Sequence, residues 1–560
     1  MITEVRLGFK AVLISGSLFA MLISLPGTAQ TTQQPFGSKP GPSSPAVKIV
    51  TRMVTLEVVA EDSKGHHIQG LKADDFKLFE QTPAQSNERR EQKIATFQEV
   101  SVPDLASQAG EGKPIDNGAY SNSVALGKNP VPPTILLIDG KNTPINVQLQ
   151  IHPQIERILD ALPRNVPIAV FLLGSHVVML QNLTTDRSLL QAALDKAYSA
   201  SSYGYGGSLA GLISGTGTGG IAGAMASMDA QVAGADADIR VHWTTDALVG
   251  IANFVAGYPG RKNLLWISTS FPIGVNRFSF YDAGSREYLP KIQKLAAALN
   301  EAKVTVYPIN PAGVHVRNLY TYATMQAMAD ATGGKVYEGG NDLSVNIGKA
   351  VDDSSHFYEI AYYPDSKDWN GEYRRIVLEP KDKDWQLDYR QGYFANAERS
   401  PAAADVRAAL KQAACLGSLD SSAVLFSADS LPPDTTDGVK FNLNIDASTL
   451  TLSPTSGGSE VNLQLAVCTF DKKGIPGQFM SIPLDRKLNA AELQRVTANG
   501  LEDIAAIPGP KPASLRMAVM DVPSGKLGSI TIKTDILAAE TPQPPKTQGV
   551  TRKDAPDNLK

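Results

Sequence analysis

The sequence predicts a multidomain α/β protein: a doubly wound, mostly parallel sheet with helices on both faces, flanked by β-sandwich segments. Three observations carry this. A chain of 560 residues is too long for one core. Between residues 134 and 356, short apolar runs alternate with stretches of helical period, the βαβα order that builds a parallel sheet. Before and after that stretch the apolar pattern reverts to period two, the spacing of strands. With 42% hydrophobic and 19% charged residues, the composition is that of a globular chain rather than a disordered one.

The first thirty residues stand outside any fold. Arg6 and Lys10 give a basic start, Ala11 to Leu25 carries no charge, and Pro26-Gly27-Thr28-Ala29 closes the run. This is the pattern of a signal peptide over residues 1–29, cut after Ala29, and it predicts a periplasmic or secreted protein. The apolar run is shorter than the about 20 residues of a permanent span, so no membrane span is expected after signal removal. No cysteine follows the cut, which argues against a lipid anchor. Residues 30–46, rich in Gln, Pro, Gly and Ser, read as a disordered leader.

Order is expected from Val47, and residues 47–101 form an N-terminal β segment. Val54, Leu56, Val58 and Ala60 alternate as a strand, Asp62 to Gly65 supplies a turn, and Leu71–Glu80 and Ile94–Val100 continue as strands. Residues 102–133 are rich in Gly, Pro, Ser and Asn and read as a linker. At Thr134 the period changes. Thr134 to Ile138 is a continuous apolar run, as in a central strand buried on both faces, and Ile151, Ile155, Ile158, Leu159 and Leu162 follow at helical spacing. Strands are then expected at Val166–Leu173, Asn263–Ile267 and Val304–Ile309. Helices are expected at Asp186–Ser199, Thr245–Val255, Tyr288–Ala302 and Thr324–Ala331, the last stopped by Gly333-Gly334. A Gly-rich insertion, 203–238, interrupts this α/β domain, 134–356.

Residues 357–395 return to β, with strands at Phe357–Tyr363, Tyr373–Leu378 and Leu387–Phe394. Neither this segment nor 47–101 is large enough to bury a core alone, so the two are expected to pair into one sandwich around the inserted α/β domain. Residues 396–438 read as a linker with a helix near Asp405–Ala414, 439–537 as a C-terminal β-sandwich, and 538–560 as a disordered tail.

Several stretches in this order carry a family likeness. They are Gly70-Leu71-Lys72-Ala73-Asp74-Asp75-Phe76, Ile138-Asp139-Gly140-Lys141-Asn142-Thr143, Gly260-Arg261-Lys262-Asn263-Leu264-Leu265-Trp266-Ile267-Ser268, Thr332-Gly333-Gly334-Lys335 and Arg390-Gln391-Gly392-Tyr393-Phe394. On these the chain resembles the exported bacterial proteins with a von Willebrand factor A-type domain. The resemblance implies a Rossmann-like α/β fold and a tendency to bind protein partners, without a settled reaction. It also implies a site at the carboxyl ends of the strands. Metal-dependent members place there an Asp-x-Ser-x-Ser loop, a Thr from a second loop and an Asp from a third. Together these hold a hard cation whose open position takes a partner carboxylate.

This sequence departs from that pattern. Asp139 and Thr143 fit the first loop, but Lys141 stands at the first Ser, and an ammonium has no lone pair for a metal. Thr244 and Thr245 offer hydroxyls near the second loop without a clear register. Ser268-Thr269-Ser270 stands where the third-loop Asp belongs, so Thr269 replaces a carboxylate with a hydroxyl. The site thus reads as a degenerate metal-ion-dependent adhesion site of Asp139, Lys141, Thr143, Thr244, Thr245 and Thr269. No cofactor is expected; if Mg²⁺ or Ca²⁺ bound, Asp139 and Thr143 would be its ligands. Asp139 is expected instead to cap the following helix or to pair with Lys141.

The remaining motifs exclude more than they assign. The net charge of −4 announces no basic face, so nucleic acid is not an expected partner. Gly215-Thr-Gly217-Thr-Gly219-Gly220 matches a dinucleotide fingerprint only in form, because no strand precedes it. No His-Glu-x-x-His, Gly-x-Ser-x-Gly or P-loop occurs. Cys415 and Cys468 are open to two readings, a disulfide or two separate thiols. The expected function is protein–protein interaction or adhesion in the cell envelope, not catalysis, with an unidentified protein partner. The alternatives are a secreted enzyme with an unrecognised site or a structural subunit of an envelope assembly.

Overall fold

The computed structural model describes residues 52–82, 88–102, 119–122, 131–201, 221–270, 289–312, 319–338, 342–396, 402–416, 419–432 and 438–534. The expected signal peptide, leader and tail lie outside the described residues, as do residues 202–220 of the Gly-rich insertion.

Along the chain come β1 (Val54–Glu61), β2 (Phe76–Gln81), β3 (Arg89–Gln92), β4 (Ile94–Ser101) and β5 (Ala119–Ser121). The α/β part follows: β6 (Thr134–Asp139), α1 (Ile145–Ile151), α2 (Ile155–Ala161), β7 (Ile168–Leu173), β8 (Val177–Thr184), α3 (Arg187–Ser201) and α4 (Ile221–Val255). It continues with β9 (Lys262–Ile267), α5 (Leu289–Glu301), β10 (Val304–Ile309), α6 (Leu319–Thr332) and α7 (Leu343–Asp353). Then come β11 (His356–Tyr362), β12 (Tyr373–Pro380), β13 (Gln386–Asp388), β14 (Gly392–Phe394) and α8 (Ala403–Lys411). The C-terminal part holds β15 (Phe426–Leu431), β16 (Val439–Ile445), β17 (Ser453–Thr455), β18 (Gly458–Val461), β19 (Leu463–Phe470), β20 (Pro476–Pro483) and β21 (Arg486–Leu488). It ends with α9 (Ala490–Asn499), β22 (Leu501–Ile507), β23 (Ser514–Asp521) and β24 (Lys526–Lys533).

The central sheet has the order β10-β9-β6-β7-β8. Its first four members run parallel, and β8 closes one edge antiparallel to β7. Alternate residues of each strand enter opposite cores, because side chains in a strand have period two. Ile135, Leu137, Phe171, Leu264 and Trp266 pack with α4 and α5. Leu136, Ile138, Val170, Leu265 and Ile267 pack with α2, α3 and α7. Continuous apolar sequence such as Ile135 to Ile138 follows from burial on both faces.

The first β lobe interleaves strands from before and after the α/β part. One sheet runs β13-β1-β11-β4 and the other β14-β12-β2-β3. Their shared core includes Leu56, Val58, Leu78, Ile360, Tyr362 and Ile376. This lobe meets the α/β part at Lys335, whose Nζ lies 3.1 Å from Glu61, 3.2 Å from Asp388 and 3.5 Å from Asp353. The second β lobe packs sheet β22-β16-β15-β5 against sheet β20-β19-β23-β24. The apolar side of α8 (Val406, Leu410) and Ala414 cover the other face of β19 and β23.

Four expectations need correction. The linker 102–133 contains β5, which pairs with β15 of the second β lobe. The helix expected from Thr245 begins at Ile221, so residues 221–238 of the supposed Gly-rich insertion are helical. The last folded unit starts at Phe426 rather than 439 and includes α9, so it is not all β. The helix expected from Ile151 to Leu162 is broken by a 3₁₀ turn at His152–Gln154, since Pro153 cannot donate within a helix. Strand β8 and helix α7 were not anticipated.

Candidate functional site

The site grows from the end of β6. The chain leaves β6 toward β7 on one side and returns to β9 on the other, so the strand order reverses beside β6. A crevice at the carboxyl ends of strands opens at such a reversal. Asp139 is the last residue of β6, and Gly140 lets the chain turn there. A Cβ on Gly140 would lie 3.3 Å from the Leu173 carbonyl oxygen, so a larger residue would crowd the turn.

The Asp139 side chain is buried, and its carboxylate accepts five hydrogen bonds. Backbone N–H groups of Lys141 and Asn142 donate to Oδ1 at 3.0 and 2.8 Å. Asn142 Nδ2, Trp266 Nε1 and Ser268 Oγ donate to Oδ2 at 2.8, 3.1 and 2.9 Å. Burial pushes the Asp139 carboxyl up, while the donors from Asn142, Ser268 and Trp266 pull it down. Asn142 is the hub of the cluster. Its Nδ2 also donates to Thr244 Oγ1 at 2.9 Å, and its carbonyl accepts from Thr269 Oγ1 at 2.6 Å. Gln148 Nε2 holds the same loop by donating to the Gly140 and Thr143 carbonyls.

The predicted residues divide. Asp139, Thr244 and Thr269 converge through Asn142. Thr244 reaches the site from α4, a helix rather than a loop. Thr245 lies in the same helix, and its hydroxyl is committed to the Val241 carbonyl at 2.8 Å. Thr143 Oγ1 is buried without a hydrogen-bond partner, as is Asn142 Oδ1. The expected pairing of Asp139 with Lys141 is made by the Lys141 amide, while its ammonium lies over the Trp243 ring, 4.9 Å from the centroid. Asp139 does not cap α1 either; it closes the turn of residues 139–142. Asn142, Trp266, Ser268 and Gln148 are the site residues missed by sequence. The Asp139–Asn142 spacing, a side chain reaching back three residues to its own turn, was the available signal.

This set does not fit a hard dication. Both oxygens of the one carboxylate are occupied by N–H and O–H groups, and Trp266 Nε1 is a donor only. The two unpartnered acceptors, Asn142 Oδ1 and Thr143 Oγ1, are neutral. Among the described residues, no group of three or more His, Cys, Asp or Glu side chains is placed to hold a metal. Elsewhere, a cleft of about 930 Å³ separates α4 and α5 from α8 and the turn before β24. Its lining includes Gly250, Ala298, Leu419 and Met520, and Lys526 meets Glu301 across it at 3.8 Å. Cys415 and Cys468 form a disulfide, Cα atoms 5.4 Å apart, that ties the turn after α8 to β19. No helix among the described residues is long and apolar enough to cross a membrane.

No family model and no curated protein matches the chain. Solved structures similar to it include a von Willebrand factor type A protein from Catenulispora acidiphila, at 10% identity and a TM-score of 0.22, covering 81% of this chain and 76% of that one. An aerotolerance-related membrane protein from Bacteroides fragilis is 11% identical over 40% of this chain and 98% of its own, with a TM-score of 0.22. A pilus adhesin from Lactobacillus rhamnosus GG is 9% identical over 72% of this chain and 54% of its own, with a TM-score of 0.25.

Proposed function

We propose that this is an exported protein-binding protein whose α/β part is a doubly wound, von Willebrand factor A-type domain inserted into the first β lobe. In this reading it binds a protein partner at the carboxyl end of its central sheet, in the cell envelope or outside the cell, without a divalent metal. The observation that carries the metal-independent part is the Asp139 carboxylate, saturated by five donors from the turn, Trp266 and Ser268. A cation entering there would displace hydrogen bonds worth about 1.5–3 kcal/mol each, with no second carboxylate to offset the loss. Partner contacts then rest on the rim, where the Lys141 ammonium and the Trp243 ring lie together.

Crosslinking pull-down from intact cells, with and without EDTA, tests this reading. The same partners are expected in both arms, and Lys141→Glu should remove them. Calorimetric titration with Mg²⁺ or Mn²⁺ should give no saturable heat. Micromolar binding abolished by Asp139→Ala would overturn the metal-free reading, and partners untouched by Lys141→Glu would overturn the assignment of the rim.

A further inference from the structure

The second β lobe is not closed by its own sequence. Its sheet β22-β16-β15-β5 ends on β5, a strand from upstream of the α/β part. Ala119, Tyr120 and Ser121 pair antiparallel with Asp429, Ala428 and Ser427. Tyr120 packs half-buried against the core of the lobe, and its hydroxyl donates to the Lys533 carbonyl at 3.5 Å. Asn122 then does with its side chain what a backbone would do. Its Nδ2 donates to the Ser421 and Val424 carbonyls at 2.8 and 2.7 Å, and its Oδ1 accepts the Phe426 N–H at 2.9 Å. Both donors and the acceptor of the amide are used, and no other side chain of that size offers the set. Room for it comes from Gly528, where a Cβ would lie 2.9 Å from Asn122 Nδ2 and 1.9 Å from the Val424 carbonyl oxygen.

We infer that the second β lobe carries a strand-accepting peptide site, selective for an extended Tyr-x-Asn segment, which residues 119–122 of this chain occupy. The inference does not rest on the reading of the α/β site. A strand of three residues, held by three ladder pairs, the Asn122 amide and hydrogen bonds from the Ser121 and Tyr120 hydroxyls and the Asn122 N–H, opens locally at lower cost than the long strands around it. Once open, β15 presents an unpaired edge, the element that takes peptides by strand addition. Backbone pairing supplies sequence-independent attachment, the Tyr120 slot takes one side chain, and the Ser421, Val424 and Phe426 backbone groups read the amide two residues on. An Asp at that place would turn a carboxylate toward two carbonyl oxygens, so the site discriminates between two side chains of nearly equal shape.

The test uses the full chain and a fluorescent synthetic peptide of residues 117–124. In the Asn122→Asp chain, hydrogen exchange over Phe426–Asp429 should rise because its own strand is weakened. The peptide should then bind with saturable anisotropy and restore protection. The unmodified chain, its site filled, should bind at least about tenfold more weakly, as should a peptide carrying the same Asn-to-Asp change. A Tyr120→Ala chain provides a second route to the emptied site. Unchanged exchange in both variants, emptied sites that ignore the peptide, equal binding of the two peptides, or global unfolding of both variants would each overturn the inference.

Discussion

Asp139 takes a charge into a buried place, and its surroundings are donors rather than cations. Replacing one oxygen by an amide, Asp139→Asn, sets an NH₂ group against Trp266 Nε1 or the turn N–H groups and keeps the shape. Urea unfolding should show a loss of about 2–4 kcal/mol, since buried donors left unpaired carry the full desolvation penalty. Lys262 gives the opposite case. Burial, reinforced by Lys303, lowers its pKa to about 7 against the pull of Glu57. In the unfolded chain the amine keeps its proton up to the ordinary 10.5, so between those values the unfolded state binds more protons. Stability therefore rises with pH from about 7 toward 10.5 and is lowest below that window. Lys262→Met should remove this rise and raise stability at pH 7 by about 1–2 kcal/mol, read from unfolding at pH 7 and 9. At this scale Asp139 was legible through the resemblance carried by Ile138 to Thr143, which implies an Asp at the end of the apolar run. Its true partners were not visible. Trp266 counted as one more apolar residue of β9, and only the fold turns its N–H toward Asp139.

Among the elements, those with a strong local period were legible and those made by pairing were not. β6, β7, β9 and β10 announce themselves as apolar runs because both faces are covered. α7 has a start that is legible in the sequence, Asp342 accepting from the Ser344 N–H. The first part of α4 was hidden by its Gly and Ala content, which carries no amphipathic stripe. β5 has no period at all; Ala119–Ser121 is a strand only because β15 lies beside it. The two readings left open for Cys415 and Cys468 needed the position of α8, which brings the turn after it onto β19. Opening this bridge by Cys415→Ser should cost roughly 2–4 kcal/mol of stability in the second β lobe. Val406, Leu410 and Ala414 would still favour the docked turn, so exchange over residues 403–416 should quicken while the sheets keep their protection.

On the scale of the whole molecule, the chain visits its parts out of order. The first β lobe is begun by β1–β4 and finished by β11–β14, and the α/β part carries its two cores within its own stretch of sequence. Residues 131–355 alone should therefore melt cooperatively, whereas residues 52–102 alone should show no cooperative transition by circular dichroism. A cooperative melt of the short piece would count against shared sheets as the source of its order. The interleaving also bears on how the molecule comes into being. Val54 finds its neighbour Tyr362, and Ser121 its neighbour Ser427, only after most of the chain has been made. Contacts so distant in sequence form late and slowly. Neither β lobe can therefore complete its sheets until the α/β part between its strands has been made.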